Sequence, residues 1–136
     1  MKKVKKIRRK LNGERYFDPP RQRLLIDKTV YDRFSRIVSA RKMVRHYKRM
    51  APVIERLMCN YLLGYYDDFL YKRVNIRRPL KIREMDITNS FINKELGDWF
   101  AKAAYKEHLI GHIERSAGFI EFLMTSFNEG EIEMQV

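Results

Sequence analysis

The strongest rhythm in this chain is an apolar one. Met50, Val53, Ile54, Leu57, Met58, Tyr61, Leu62, Tyr65 and Phe69 recur at steps of three and four residues, the spacing of one face of a helix over about five turns. A stripe of this kind has to be buried, so whatever else the chain does it must bring a second apolar surface onto this helix. Pro52 is tolerated only near a helix start, which sets the beginning close to Met50. Leu63, Tyr66 and Leu70 widen the stripe further, and the extra width predicts that a second chain packs on it.

The flanking segments read around that helix. Upstream, Val30, Phe34, Ile37, Val38 and Arg41 have amphipathic helical spacing with Asp27 as the cap. Before them, Arg21 to Ile26 reads as a short strand, Leu24 and Ile26 on one side and Arg21, Arg23 and Leu25 on the other. Downstream, Arg73 to Arg83 alternates around Val74, Ile76, Leu80 and Ile82 but contains Pro79, giving an edge strand or an extended connector. A third helix is expected from Phe91 or Ile92 through Leu96, Trp99, Phe100 and Ala103, its start marked by Asp86, Thr88, Asn89 and Ser90. A fourth is expected from about Glu107, with Leu109 or Ile110, Ile113, Ala117, Ile120, Leu123, Met124 and Phe127 inward, ending at Asn128 and Gly130. Glu129, Glu131 and Glu133 then form an acidic end, expected to be frayed. The fold class is mainly α, a short N-terminal strand followed by helices.

Charge is distributed very unevenly. The first fifty residues hold eighteen Lys and Arg against four acids, a balance of +14, whereas the whole chain is +12, so everything after Met50 sums to about −2. A positive end attracts polyanions at long range, and neutralising phosphates releases counterions, so nucleic acid is the expected partner, DNA ahead of RNA. Lys2, Lys3, Lys5, Lys6, Arg8, Arg9 and Lys10 lie in a segment with Asn12, Gly13, Pro19 and Pro20 and without periodic apolar positions. Residues 1–20 therefore read as a basic arm for phosphates or a minor groove.

Other chemistries have little footing. A single cysteine, Cys59, in an apolar helical run reads as a small buried side chain in a reducing interior rather than a nucleophile. His108 and His112 are four apart, with Glu107 and Glu114 nearby, but no Cys accompanies them and the paired His-Glu signature of zinc proteases is missing, so no metal site is expected. Asp67, Asp68 and Glu55 make no carboxylate dyad, since adjacent helical residues point about 100° apart. The helical spacing of Tyr61, Tyr65, Tyr66 and Tyr71 favours core or interface over base stacking. With no Gly-rich phosphate loop, no enzyme and no cofactor are expected. No apolar run suits a secretory signal or a membrane span, so the expected location is the cytoplasm and no membrane partner is expected.

Within a domain read as residues 21–72, the order strand, helix, basic turn, longer helix from Arg21 to Leu70 resembles the ribbon-helix-helix family of DNA-binding proteins. The strand Arg21 to Ile26 runs straight into Asp27-Lys28-Thr29-Val30, Val30, Phe34, Ile37 and Val38 fit the first helix, and Val53 to Leu62 fits the second, including its closing Tyr-Leu pair. The resemblance implies an intertwined homodimer whose strands, one from each copy, pair antiparallel into a ribbon for the DNA major groove. Carried over by position, Arg21, Arg23 and Leu25 face outward to base edges or phosphates. Lys28 lies beside them, and Lys48 and Arg49 precede a helix start, around Lys48 to Ala51, that offers backbone N–H groups to phosphate. The sequence departs from the family in Leu25, where a polar residue is usual, and in the longer, basic connection Lys42 to Arg49.

Residues 73–136 repeat the order in outline, Leu80-Lys81-Ile82 being followed by two helices, and Ile120-Glu121-Phe122-Leu123-Met124 echoes the second helix, so a degenerate tandem copy is one reading. Apolar periodicity is common to any helix pair, however, so the expectation is an unrelated helical hairpin for assembly or a protein partner. The function that follows is a dimeric DNA-binding protein, a transcriptional regulator or an organiser of a nucleoprotein complex such as partition or DNA transfer. The alternative is a structural component of a virion or ribonucleoprotein particle that packs on RNA or genome without reading sequence.

Overall fold

The computed structural model describes residues 20–44, 50–79 and 81–135. The chain forms β1 (Arg21–Asp27), α1 (Lys28–Ala40), α2 (Ala51–Leu62), a single turn α3 (Asp67–Leu70), β2 (Ile87–Asn93), α4 (Lys94–Lys106) and α5 (Ser116–Asn128). Short 3-10 turns precede β2 and α5 at Ile82–Glu84 and Ile113–Arg115. Among the described residues the architecture is mainly α, with one two-stranded antiparallel sheet.

That sheet departs most from expectation. β1 pairs antiparallel with β2 of the same chain, Arg21 opposite Asn93, Leu24 opposite Ser90 and Asp27 opposite Ile87. The strand that seemed to require a second copy finds its partner within the chain, so the backbone argument for obligatory dimerisation through the ribbon falls away. Residues 87–93, expected to open a helix, are extended instead. Ile87, Thr88, Phe91 and Ile92 favour a pleated surface, and Asn93 rather than Ser90 is the helix cap, its side chain accepting from Leu96 N at 3.0 Å.

Residues 73–136 are not an unrelated hairpin. A constant offset of 66 positions takes Asp27 to Asn93 and Glu55 to Glu121, and the correspondence holds in detail. Lys28 and Asp32 pair at 2.6 Å, and Lys94 and Asp98 at 3.0 Å. Lys28 N donates to Asp86 O, and Lys94 N to Pro20 O. The central strand pair, Leu24 with Ser90, joins equivalent positions, so a pseudo-two-fold axis passes through the middle of the ribbon.

The two strand-helix-helix units are interleaved. α1 packs on α5, α4 packs on α2, and each second helix supports the strand of the other unit. One core results, to which both units contribute equivalent side chains: Phe34 and Phe100, Ile54 and Ile120, Leu57 and Leu123, and Met58 and Met124 are all fully buried. Residues 21–72 and 73–136 thus share a single hydrophobic interior. Full burial of side chains of this size stabilises by roughly 1.5–3 kcal/mol each.

Several local expectations are corrected. The apolar stripe from Met50 does not make one long helix; α2 ends at Leu62, and Gly64 takes φ +87° where a Cβ would be strained. The fourth helix begins at Ser116 rather than near Glu107, because His108 takes a left-handed φ of 63° and ends α4. The segment Arg73 to Arg83 is a connector, its Asn75 and Ile76 N–H groups bonded to the carbonyls of His108 and Leu109. Trp99 lies on the outer face of α4 and is 56% exposed. The end of the chain is pinned rather than frayed: Ile132 is buried, Tyr66 donates to Glu133 O at 2.7 Å, and Gln135 exchanges hydrogen bonds with the Asn60 amide.

Candidate nucleic-acid interface

The ribbon separates its residues by side. Leu24, Ile26 and Ile92 are buried against the helices, with Ser90 beside them. On the opposite face Arg21, Arg23, Asn89 and Phe91 are exposed and Leu25 is half-buried. Register sets Arg23 across from Phe91 and Leu25 across from Asn89, which makes four adjoining side chains at the centre of the outer face. Of the strand residues expected at the interface, Arg21, Arg23 and Leu25 are all here.

Asn89 and Phe91 were missed, the first read as a helix-start residue and the second as helical core. The alternation Ile87-Thr88-Asn89-Ser90-Phe91-Ile92 could have found them, as could the offset that maps Arg23 onto Asn89 and Leu25 onto Phe91. Phe91 is 48% exposed, a large apolar ring turned away from the core.

Both outer edges of the ribbon are closed by a glutamate from the second helix of the opposite unit. Glu55 accepts from Asn93 N at 2.7 Å, and Glu121 accepts from Asp27 N at 3.0 Å. Glu121 is deeply buried and also meets Arg78 Nη2 at 2.7 Å, while Arg78 donates to the Leu25 carbonyl on the same edge. Burial pushes the Glu121 carboxyl above its ordinary range, against the pull of the Asp27 N–H and the Arg78 guanidinium. These contacts hold the strands in register from the two edges.

Cations collect next to the β1 edge. A groove of about 490 Å³ between the connector and the start of α5 is lined by Arg77, Arg78, Lys81 and Arg115, with Glu114 as an acid on its wall. Lys28 is exposed and engaged with Asp32. Lys2, Lys3, Lys5, Lys6, Arg8, Arg9, Lys10, Lys48 and Arg49 lie outside the described residues. The helix start expected to offer N–H groups around Lys48 to Ala51 lies partly outside the described residues, and the positions just beyond it offer none. Pro52 has none, and those of Val53 and Ile54 are bonded to the Met50 carbonyl.

The remaining candidates stand apart from this face. His108 and His112 lie on the turn between α4 and α5 rather than on a helix, and His112 Nδ1 accepts from Glu114 N. Among the described residues no group of three His, Cys, Asp or Glu is placed to hold a metal ion. Cys59, expected to be buried, is exposed on α2, and its thiol is raised above the ordinary value first by partial burial and then by Glu55. Tyr61 and Tyr66 are core residues, whereas Tyr65 and Tyr71 are exposed. No helix among the described residues is long and apolar enough to cross a membrane.

Comparison with family models, curated proteins and solved structures finds no match to this chain.

Proposed function

We propose that this protein binds duplex DNA in the manner of the ribbon-helix-helix proteins it resembles, with one chain supplying both strands of the ribbon. The observation that carries the reading is the two-sided ribbon itself. One face is sealed into the core, and the other bears Arg21, Arg23, Leu25, Asn89 and Phe91. The major groove of B-DNA, about 12 Å wide, admits a two-stranded ribbon, whose strands lie about 4.8 Å apart. Arginine and asparagine present donors to base edges there, and Leu25 and Phe91 offer apolar contact to thymine methyl groups.

The charge distribution supports the same reading. The arm of seven Lys and Arg within the first ten residues adjoins β1 in sequence, and the groove with Arg77, Lys81 and Arg115 lies beside the ribbon edge. Both are suited to phosphates flanking a groove-bound ribbon. The role is that of a transcriptional regulator or of an organiser of a nucleoprotein complex, as in partition or DNA transfer.

Titration of the full chain against duplex DNA at 50 and 200 mM salt tests this. Six or more phosphate contacts predict a loss of affinity of roughly a thousandfold between the two. Affinity indifferent to salt, or tighter binding to single-stranded RNA than to duplex DNA, rejects it.

A further inference from the structure

The two strands of the ribbon are related by the axis but carry different side chains. Arg21, Arg23 and Leu25 of β1 correspond to Ile87, Asn89 and Phe91 of β2. In a ribbon made from two identical chains these positions would be the same residue, and a palindromic site would present the same base to each. Here the axis joins arginine to asparagine and leucine to phenylalanine.

From this we infer that a single chain reads a non-palindromic duplex site, with Arg23 and Asn89 as the residues that distinguish its two halves. The inference rests on the DNA-binding reading above. Arginine pairs bidentately with guanine O6 and N7, whereas asparagine pairs with adenine N7 and N6. Arg23 therefore selects guanine in one half of the site and Asn89 selects adenine at the related position of the other half. Leu25 and Phe91 reach thymine methyl groups in the respective halves, the larger ring of Phe91 covering more of the groove floor.

The placement of these side chains favours direct reading. Arg23 and Asn89 are both exposed on the outer face, and neither takes part in a side-chain hydrogen bond or ion pair among the described residues. Their backbones are fixed by the ladder and by the two edge glutamates, Glu55 and Glu121. Fixed strands with uncommitted polar ends lose little freedom on binding.

The experiment is enrichment of duplexes from a randomised pool by the full chain, followed by the same enrichment with Arg23→Ala and Asn89→Ala. The parent is expected to select a site whose halves are unrelated, with one chain bound per duplex. Arg23→Ala should erase a guanine preference in one half only, and Asn89→Ala an adenine preference in the other. Each should lower affinity for the selected duplex by roughly ten- to a hundredfold. Both positions are exposed, so the unfolding midpoints of the variants should match the parent. A palindromic consensus, two chains per site, or erasure of both halves by one variant overturns the inference while duplex binding stands. Salt-dependent binding with no enriched sequence also overturns it. Absence of duplex binding overturns it together with the proposed function.

Discussion

Two equivalent places in the molecule, one on each side of the axis, have diverged in opposite chemical directions. Near the end of α2, buried Tyr61 donates to Glu107 Oε1 at 2.6 Å. Sixty-six residues later, near the end of α5, Phe127 has no hydroxyl, and the Arg41 guanidinium stands 5.1 Å from its ring centre. Arg41 and Glu107 are themselves equivalent, each one residue past the first helix of its unit. Acid matched to phenol on one side has become cation matched to a ring face on the other. The burial is the same and the backbone is the same; only the polar component has changed. At this pair of places a buried ring is retained across the axis, and what varies is the polar group that meets it.

If volume is the retained quantity, removing it should cost the same on both sides. Phe34 and Phe100 are equivalent and both fully buried. Phe34 meets Phe127 edge-on at 5.5 Å, and Phe100 forms a three-ring cluster with Tyr61 and Phe119, each 5.2 Å away. Phe34→Ala and Phe100→Ala should each destabilise by about 3–5 kcal/mol, measured by urea unfolding. A difference above about 2 kcal/mol would show that the two units contribute unequally to the interior despite their matched backbones.

The edge glutamates should behave unequally. Glu55 closes its edge of the ribbon with one N–H, so Glu55→Ala should cost about 1 kcal/mol. Glu121 is buried, accepts the Asp27 N–H and is matched to Arg78, so Glu121→Ala strands a largely buried guanidinium and should cost about 3 kcal/mol. Their pH behaviour sharpens the contrast. Because burial raises Glu121 above the ordinary glutamate value of 4.5, the folded chain holds its proton to higher pH than the unfolded chain. The contribution of this group to stability is thus greatest below 4.5 and falls as pH rises through the folded-state value. The stability of the parent relative to Glu121→Gln should decline across that window when urea midpoints are compared at several pH values; a constant difference would reject the assignment.

The first unit was legible because its signals are local. Asp27 caps α1 through Thr29 N, as its position before the periodic run implies, and the sidedness of Arg21 to Ile26 needs only period-two reading. The second unit was obscured by one ambiguity: Asn89 and Ser90 resemble helix caps, and Ile92 and Leu96 sit at helical spacing, so a seven-residue strand passed for a helix start. The recurrence of Ile-Glu-x-Leu-Met at 54–58 and 120–124 carries Asp27 onto Asn93 and resolves it. The pairing of β1 with β2, and the reach of Arg78 to Leu25 and Glu121, depend on segments more than forty residues apart, which local propensity does not specify.

The smallest effects should come from the helix ends, where each of the four long helices among the described residues closes on a left-handed residue. Gly64 and Gly130 occupy that position after α2 and α5, with φ of 87° and 78°, but Lys42 and His108 occupy it after α1 and α4, with φ of 57° and 63°. In each case the next N–H returns to a carbonyl five residues back, Met43 to Val38, Tyr65 to Asn60, Leu109 to Ala104 and Glu131 to Ser126. A side chain in this conformation costs roughly 1 kcal/mol, so Gly130→Ala, with open space around its Cβ, should destabilise by about that amount. Gly64→Ala should cost slightly more, since its Cβ would lie 3.1 Å from Asp67 Oδ2. Lys42→Gly and His108→Gly should do the reverse and stabilise by a few tenths of a kcal/mol, the relieved strain being partly offset by the freedom glycine gives the unfolded chain. Thermal unfolding of the four variants would resolve the signs. If Lys42→Gly destabilises instead, the lysine side chain makes a contact that outweighs its strained backbone, and the first unit has an anchor that its equivalent lacks.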